Sequence, residues 1–181
     1  MDDGEEEGLK NKVKSLLVSV IIAALFVLLF LSKNTFLICC FLVLFEKCII
    51  GRVNPTPIGG IEFTTMATIL TTLKYGLEGG LMFFAFLLIG PAIGNAMLGD
   101  RWVVNPDFNP YNIGFGILRD FVSVFIVHLL HTLDLFWIFL IVFAFKNFAK
   151  IEGFGDMDIF NIPISFVFNL LLLKFLVPVI F

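Results

Sequence analysis

One group of ionisable residues in this 181-residue chain could carry chemistry, and it falls on a single predicted helix near positions 119–134. At 100° per residue, the side chains of its core project within an arc of about 140°. The group joins carboxylates, imidazoles and a hydroxyl, with a guanidinium beside them: Asp120, Ser123, His128, His131, Asp134 and Arg119. Because ionisable groups are costly in a strongly apolar helix, they indicate function there. The stripe could relay protons, bind a cation or hold a polar substrate.

A metal site is one alternative for the same stripe, because imidazoles three residues apart, as in His128 and His131, share a helix face. No third ligand stands at a recognisable spacing, and the His-Glu-x-x-His signature is absent. We therefore predict no metal, no cofactor and no catalytic residue. In a further interpretation, Arg119 and Asp120 neutralise each other at one end of the helix. His131 and Asp134 then belong to a turn at its other end.

A threonine-rich segment, residues 61–75, supplies a second candidate site. Thr64, Thr68 and Thr72 share one helical face and could present hydroxyls to a ligand. Threonines in apolar helices also bond a neighbouring helix or their own backbone, so both interpretations stay open.

Other polar residues flank this segment or follow it. Glu62, Lys74 and Glu78 bracket the segment and could either form an ion pair that fixes the turn near Gly76 or line a polar mouth. Asn169 belongs to a polar stripe on the last predicted helix and is expected to face the interior of the bundle.

The elements that must position these residues are apolar runs about as long as a bilayer is thick. Of all residues 59% are hydrophobic and 15% are charged, and the mean hydropathy is +1.02. A helix needs roughly 20 apolar residues to cross a bilayer. We therefore predict an all-α, polytopic transmembrane bundle of six or seven spans, with lipid as its solvent. The predicted spans are 15–32, 35–50, 61–75, 77–98, 112–131, 134–149 and 160–181.

The threonine-rich segment decides the number of crossings, because it is short and polar enough to be a re-entrant or interfacial helix instead. Seven crossings from a cytoplasmic N-terminus place most basic residues, including Lys47, Arg101 and Lys146, on the cytoplasmic side. Lys33 and Lys74 are then among the few outside. Seven spans in the cell membrane agree better than six with the rule that basic residues lie on the cytoplasmic side, and six spans remain an alternative.

The N-terminal residues 1–14 form an acidic, then basic, cytoplasmic tail, and residues 15–181 a single transmembrane domain. The acidic tail argues against nucleic acid as a partner. The first apolar run is longer than the core of a signal peptide and is read as a signal-anchor helix. Cys39, Cys40 and Cys48 lack the spacing of a redox or zinc motif and are expected to be buried free thiols.

Residues 57–94 combine a Pro/Gly-rich approach, a short helix, the turn Tyr75-Gly76-Leu77-Glu78-Gly79-Gly80, and a helix with Gly90-Pro91 and Gly94. This pattern resembles the corresponding region of the substrate-binding S components of energy-coupling-factor vitamin transporters. It is also similar to the rod-shape membrane protein MreD. The S-component resemblance implies a loop that closes over a vitamin or ion site lined by short, kinked helices. It is a resemblance of pattern and assigns no residue a role.

Three functions are compatible with the sequence. The first is a small-molecule binding or transport subunit whose walls are the threonine-rich helix and the His/Asp face. The second is a structural membrane subunit, MreD-like, that holds partner subunits in the membrane. The third is an intramembrane enzyme or proton-coupled carrier that uses Asp120, His128 and His131.

Overall fold

The computed structural model of the protein describes residues 27, 31–50, 61–97, 115–151 and 161–180. These residues form helices and turns, with no strand among them, so the predicted all-α class is confirmed. The predicted tail and most of the first span lie outside the described residues. The chain divides into two compact units, Met1–Asn34 and Thr35–Phe181. In the first unit, Lys33 adopts a left-handed backbone conformation (φ 52°) next to helical residues.

The described residues of the second unit form five helical segments. Two of them continue into wider π-helical turns, at Phe45–Ile50 and at Leu172–Leu176. In chain order the segments are α1 (Thr35–Leu44, continued by Phe45–Ile50), α2 (Thr64–Met97), α3 (Phe115–Leu129), α4 (Leu135–Ile151) and α5 (Asn161–Leu171, continued by Leu172–Leu176 and Val177–Ile180).

Helices α3 and α4 form the predicted hairpin. A turn at residues 130–133 separates them, and the backbone carbonyl of Asp134 accepts hydrogen bonds from the amides of Trp137 (2.9 Å) and Ile138 (3.1 Å). The turn therefore occupies the polar break that the sequence indicated.

Helix α2 is broken at Gly76, which has φ 71° and ψ −166°. This region of backbone space is essentially restricted to glycine. Eight residues of continuous helix would separate Thr72 from Gly80 by about 12 Å. Instead, a Cβ built on Gly80 would lie 2.4 Å from Thr72 Oγ1, which shows that the chain turns sharply at Gly76. We call residues 64–75 the first arm and residues 77–97 the second arm. The backbone stays helical at Pro91.

The first arm lies at the centre of the unit. Residues 64–72 are all buried, so this short helix is enclosed on every face. Met66 and Ile69 pack in a cluster with α3 and α4 that the apolar side chains of α5 cover. Ala67 and Leu70 pack with residues of α1 and the second arm, including Phe83. The remaining helices therefore enclose the threonine-rich segment.

The distribution of polarity is unusual for a water-soluble bundle. Large apolar side chains are exposed on every helix, for example Leu37, Ile89, Leu118, Trp137 and Val167. The interior, in contrast, holds threonines, Asn169, Glu46 and Lys146. In the described part of the chain, one helix, Thr64–Gly94, is long and apolar enough to cross a membrane.

Candidate functional site

The most polar feature of the interior surrounds the ammonium group of Lys146 on α4. Lys146 Nζ lies 2.6 Å from Asp120 Oδ1, 3.0 Å from Thr65 Oγ1 and 3.2 Å from Glu62 Oε1. An ammonium group has three hydrogens to donate, and these oxygens supply three acceptors. We call these four residues the charge cluster. It joins α3, α4 and the beginning of α2.

The burial of the cluster makes this pairing necessary. The Lys146 side chain is 9% exposed, whereas those of Asp120 and Glu62 are 21% and 26% exposed. Removing an ammonium from water is expensive unless charged partners and hydrogen bonds compensate. The carboxylates therefore neutralise the lysine and still reach the surface, so the cluster connects the interior with the outside.

Arg119 supports the cluster from the adjacent position on α3. Its Nη1 donates to the backbone carbonyl of Lys146 at 3.2 Å, and Ser123 Oγ donates to the Arg119 carbonyl at 2.6 Å. The suggestion that Arg119 neutralises Asp120 is wrong, because Asp120 pairs with Lys146. Neighbouring residues on a helix point about 100° apart and do not face each other.

A second buried carboxylate holds the beginning of the first arm. Glu46, in the π-helical part of α1, is 6% exposed. Its Oε2 accepts hydrogen bonds from the amides of Phe63 (2.7 Å) and Thr64 (3.2 Å), and from Thr64 Oγ1 (3.2 Å). Its other oxygen pairs with Lys47. A negative group on the free amides of a helix N-terminus is favourable, so Glu46 caps the arm from another helix.

On the predicted threonine face, two of the three hydroxyls donate within the arm, whereas that of Thr64 donates to Glu46. Thr68 Oγ1 donates to the Thr64 carbonyl at 2.8 Å, and Thr72 Oγ1 donates to the Thr68 carbonyl at 2.7 Å. Thr71, which lies about 20° from Thr64 at the edge of this face, donates to the Ala67 carbonyl at 2.7 Å. A carbonyl oxygen can only accept a hydrogen bond, so each hydroxyl uses its proton in donating to it and keeps its lone pairs as acceptors. A ligand on this face would meet acceptors.

The suggestion that Glu62, Lys74 and Glu78 meet at the turn near Gly76 is wrong for Glu62, because Glu62 and Lys74 lie at opposite ends of the first arm. Glu62 contacts Lys146 at the beginning of the arm. Lys74 Nζ donates to Thr35 Oγ1 (2.7 Å) near its end, and Glu78 is exposed.

The predicted ionisable stripe on α3 is divided between the two ends of that helix. His128, His131 and Asp134 are exposed at the α3–α4 turn, where His131 Nδ1 lies 2.8 Å from the His128 carbonyl. Asp120 belongs to the charge cluster, and eleven residues of helix separate it from His131 by about 16 Å. The geometry gives no support to joint chemistry of these groups. Within the described residues, no three His, Cys, Asp or Glu side chains are grouped as metal ligands.

Asn169 lies in the interior, as predicted, and is 0% exposed. Its Nδ2 donates to the Ser165 carbonyl at 2.9 Å, and Ser165 Oγ lies 3.4 Å from the same nitrogen. Among the described residues, its Oδ1 has no hydrogen-bond partner. A buried acceptor without a donor is rare in proteins and needs an explanation.

Sequence reasoning missed Glu46, Thr65 and Lys146 as site residues. The available signal was a charged residue near the end of an otherwise apolar run, at Glu46 in 35–50 and Lys146 in 134–149. Comparisons of the chain with family models, curated proteins and solved structures found no match.

Proposed function

We propose that this chain is a multi-pass integral membrane protein that binds a small polar ligand as a binding or transport subunit. One observation carries the proposal: a threonine-rich helical arm, buried on every face, runs through a bundle whose exposed surface is largely apolar. A water-soluble protein has little reason to expose large apolar side chains on every helix. In lipid, polar residues turn inward and mark substrate or ion pathways.

The ends of the first arm support the proposed orientation. Lys47 pairs with Glu46 and Lys146 pairs with Glu62, so both lysines lie at the beginning of the arm. Lys74 lies at its end. Seven crossings from a cytoplasmic N-terminus put the first two lysines on the cytoplasmic side and Lys74 outside. The charge cluster is then at the cytoplasmic end of the bundle.

A ligand that binds the folded protein must raise its unfolding temperature. We therefore propose a thermal-shift screen of the detergent-solubilised full chain against vitamins, amino acids, nucleosides and inorganic ions. Thr68→Val should abolish the shift caused by any ligand that is found. Leu70→Met is the control, because Leu70 is equally buried but lies on the opposite face of the arm, and the exchange nearly conserves volume. A screen without a hit, or equal loss in both variants, would contradict the proposal.

A structural membrane subunit is the second candidate, and one observation favours it. The hydroxyl protons of Thr68, Thr71 and Thr72 are already satisfied within the arm, as in helices that use threonine only for packing. Such a subunit would hold its partners by its faces and its acidic tail. Deleting residues 1–9 should then reduce recovery of a crosslinked membrane partner without changing the unfolding temperature. Unchanged recovery would remove the tail from this candidate.

A further inference from the structure

The first arm of α2 is attached in different ways at its two ends. At residue 76 it meets the second arm through a single glycine whose backbone angles are open to few other residues. At its beginning, side chains from two other helices hold it. Glu46 of α1 caps the amides of Phe63 and Thr64, and Lys146 of α4 pairs with Glu62 and Thr65.

Between these ends, the described hydrogen bonds of the arm's side chains stay within the arm. In residues 66–73 the side-chain hydrogen bonds that the structure describes run from threonine hydroxyls to carbonyls of the arm itself. The other contacts of this stretch are apolar, through residues such as Met66, Ile69 and Leu70. Apolar contacts are non-directional, so they resist sliding less than hydrogen bonds do.

We propose that the first arm is a gate that pivots at Gly76 and is latched at its beginning by Glu46 and Lys146. This inference rests on the proposed function, because opening the gate would bring the face of Thr64 and Thr68 to the proposed cytoplasmic side. The polar groups of the arm move with it, since they bond its own backbone. Opening therefore breaks only the latch contacts and the apolar packing.

The partners of the two buried latch residues lie closer to the surface than Glu46 and Lys146 themselves. Lys47, which pairs with Glu46, is 48% exposed, and Glu62 is 26% exposed. Released carboxylates and ammonium groups at this end would be solvated instead of being left in hydrocarbon. The closed state dominates because the latch groups are all paired, and a minor open state is the usual basis of gating.

Cysteine accessibility tests this gate directly. Thr68→Cys is introduced in a chain carrying Cys39→Ala and Cys40→Ala, and labelling by N-ethylmaleimide is followed by mass spectrometry in detergent. Lys146→Met and Glu46→Leu each remove one half of the latch, since neither new side chain can donate or accept these hydrogen bonds. We expect each to raise the labelling rate of position 68 at least tenfold. Lys74→Met, at the pivot end, is the matched control and should leave the rate unchanged.

The native Cys48 separates gating from unfolding. It is buried against the second arm, with Sγ 3.7 Å from the Pro91 carbonyl, and it does not belong to the moving segment. With Lys146→Met, its labelling should stay slow while position 68 labels quickly. Equal acceleration at both positions, or no acceleration at position 68 beyond the Lys74→Met control, would overturn the gate. The assay needs no ligand, so its result is independent of the ligand screen.

Discussion

Lys146 joins three parts of the bundle through one ammonium group. It is buried because the apolar run around it packs in the interior, and it stays charged because Asp120 and Glu62 reach it from elsewhere in the chain. Removing one member of a buried ion pair leaves the other charge uncompensated, which costs more than the pair itself contributes. Lys146 is therefore a structural residue, and in the proposed gate its contacts are the ones that break when the gate opens.

Lys146→Met should reduce the free energy of unfolding by about 3 kcal/mol, at the lower end of the range for buried pairs, because both carboxylates retain some access to water. The free energy can be measured by unfolding in sodium dodecyl sulfate with Trp fluorescence. Adding Glu62→Gln and Asp120→Asn to the same chain should recover most of the loss. A loss no larger than that of Lys74→Met would contradict the role given to the cluster.

Asn169 gives a second prediction at the scale of one residue. Because its Oδ1 is buried without a donor, an apolar side chain of similar size removes a penalty of about 1–3 kcal/mol. We expect Asn169→Leu to leave the free energy of unfolding unchanged or to raise it. Asn147→Leu is the control, because Asn147 also donates to a carbonyl four residues earlier but is only half-buried. A loss above about 1 kcal/mol in Asn169→Leu would show that Oδ1 has a partner.

The hairpin of α2 depends on two glycines for different reasons. Gly76 supplies a backbone conformation, and a Cβ there would meet nothing within 4 Å. Gly80 supplies space, since a Cβ there would lie 2.4 Å from Thr72 Oγ1 and 2.6 Å from Val124 Cγ1. The arms can approach each other and α3 only because both conditions hold.

Substitution of either glycine by alanine should lower the free energy of unfolding by about 1–3 kcal/mol, through backbone strain at Gly76 and overpacking at Gly80. A double-mutant cycle with Val124→Ala distinguishes the causes. Making room at Val124 should offset about 1 kcal/mol of the loss in Gly80→Ala and none in Gly76→Ala. Equal coupling at both glycines would contradict this assignment.

Polar breaks and glycines in the sequence made several of these elements predictable. The turn between α3 and α4 follows from one polar break in a long apolar run, and the break in α2 follows from Gly76. The enclosure of the first arm and the pairing of Asp120 with Lys146 were not predictable. Helical periodicity orders residues within one helix, whereas those contacts depend on how separate helices pack.

At the scale of the described bundle, large apolar side chains are exposed on every helix while threonines and charged residues are buried among apolar clusters, and the proposed function assigns lipid as the solvent of this exterior. The same arrangement places the two ends of the first arm at opposite ends of the bundle. Lys47, which pairs with Glu46, lies at the end where the first arm begins. The turn that contains Thr132 lies at the end of the α3–α4 hairpin that is farther from the charge cluster.

The most direct test of the account is therefore the sidedness of these two exposed positions in native membranes. Lys47→Cys and Thr132→Cys are made separately in chains without native cysteines and labelled with a membrane-impermeant maleimide in intact cells and in inverted vesicles. We predict that position 132 labels from outside and position 47 only in inverted vesicles, with the protein retained in the membrane pellet after carbonate washing. Labelling of both positions from the same side, or release of the protein by carbonate, would contradict a polar interior enclosed by lipid.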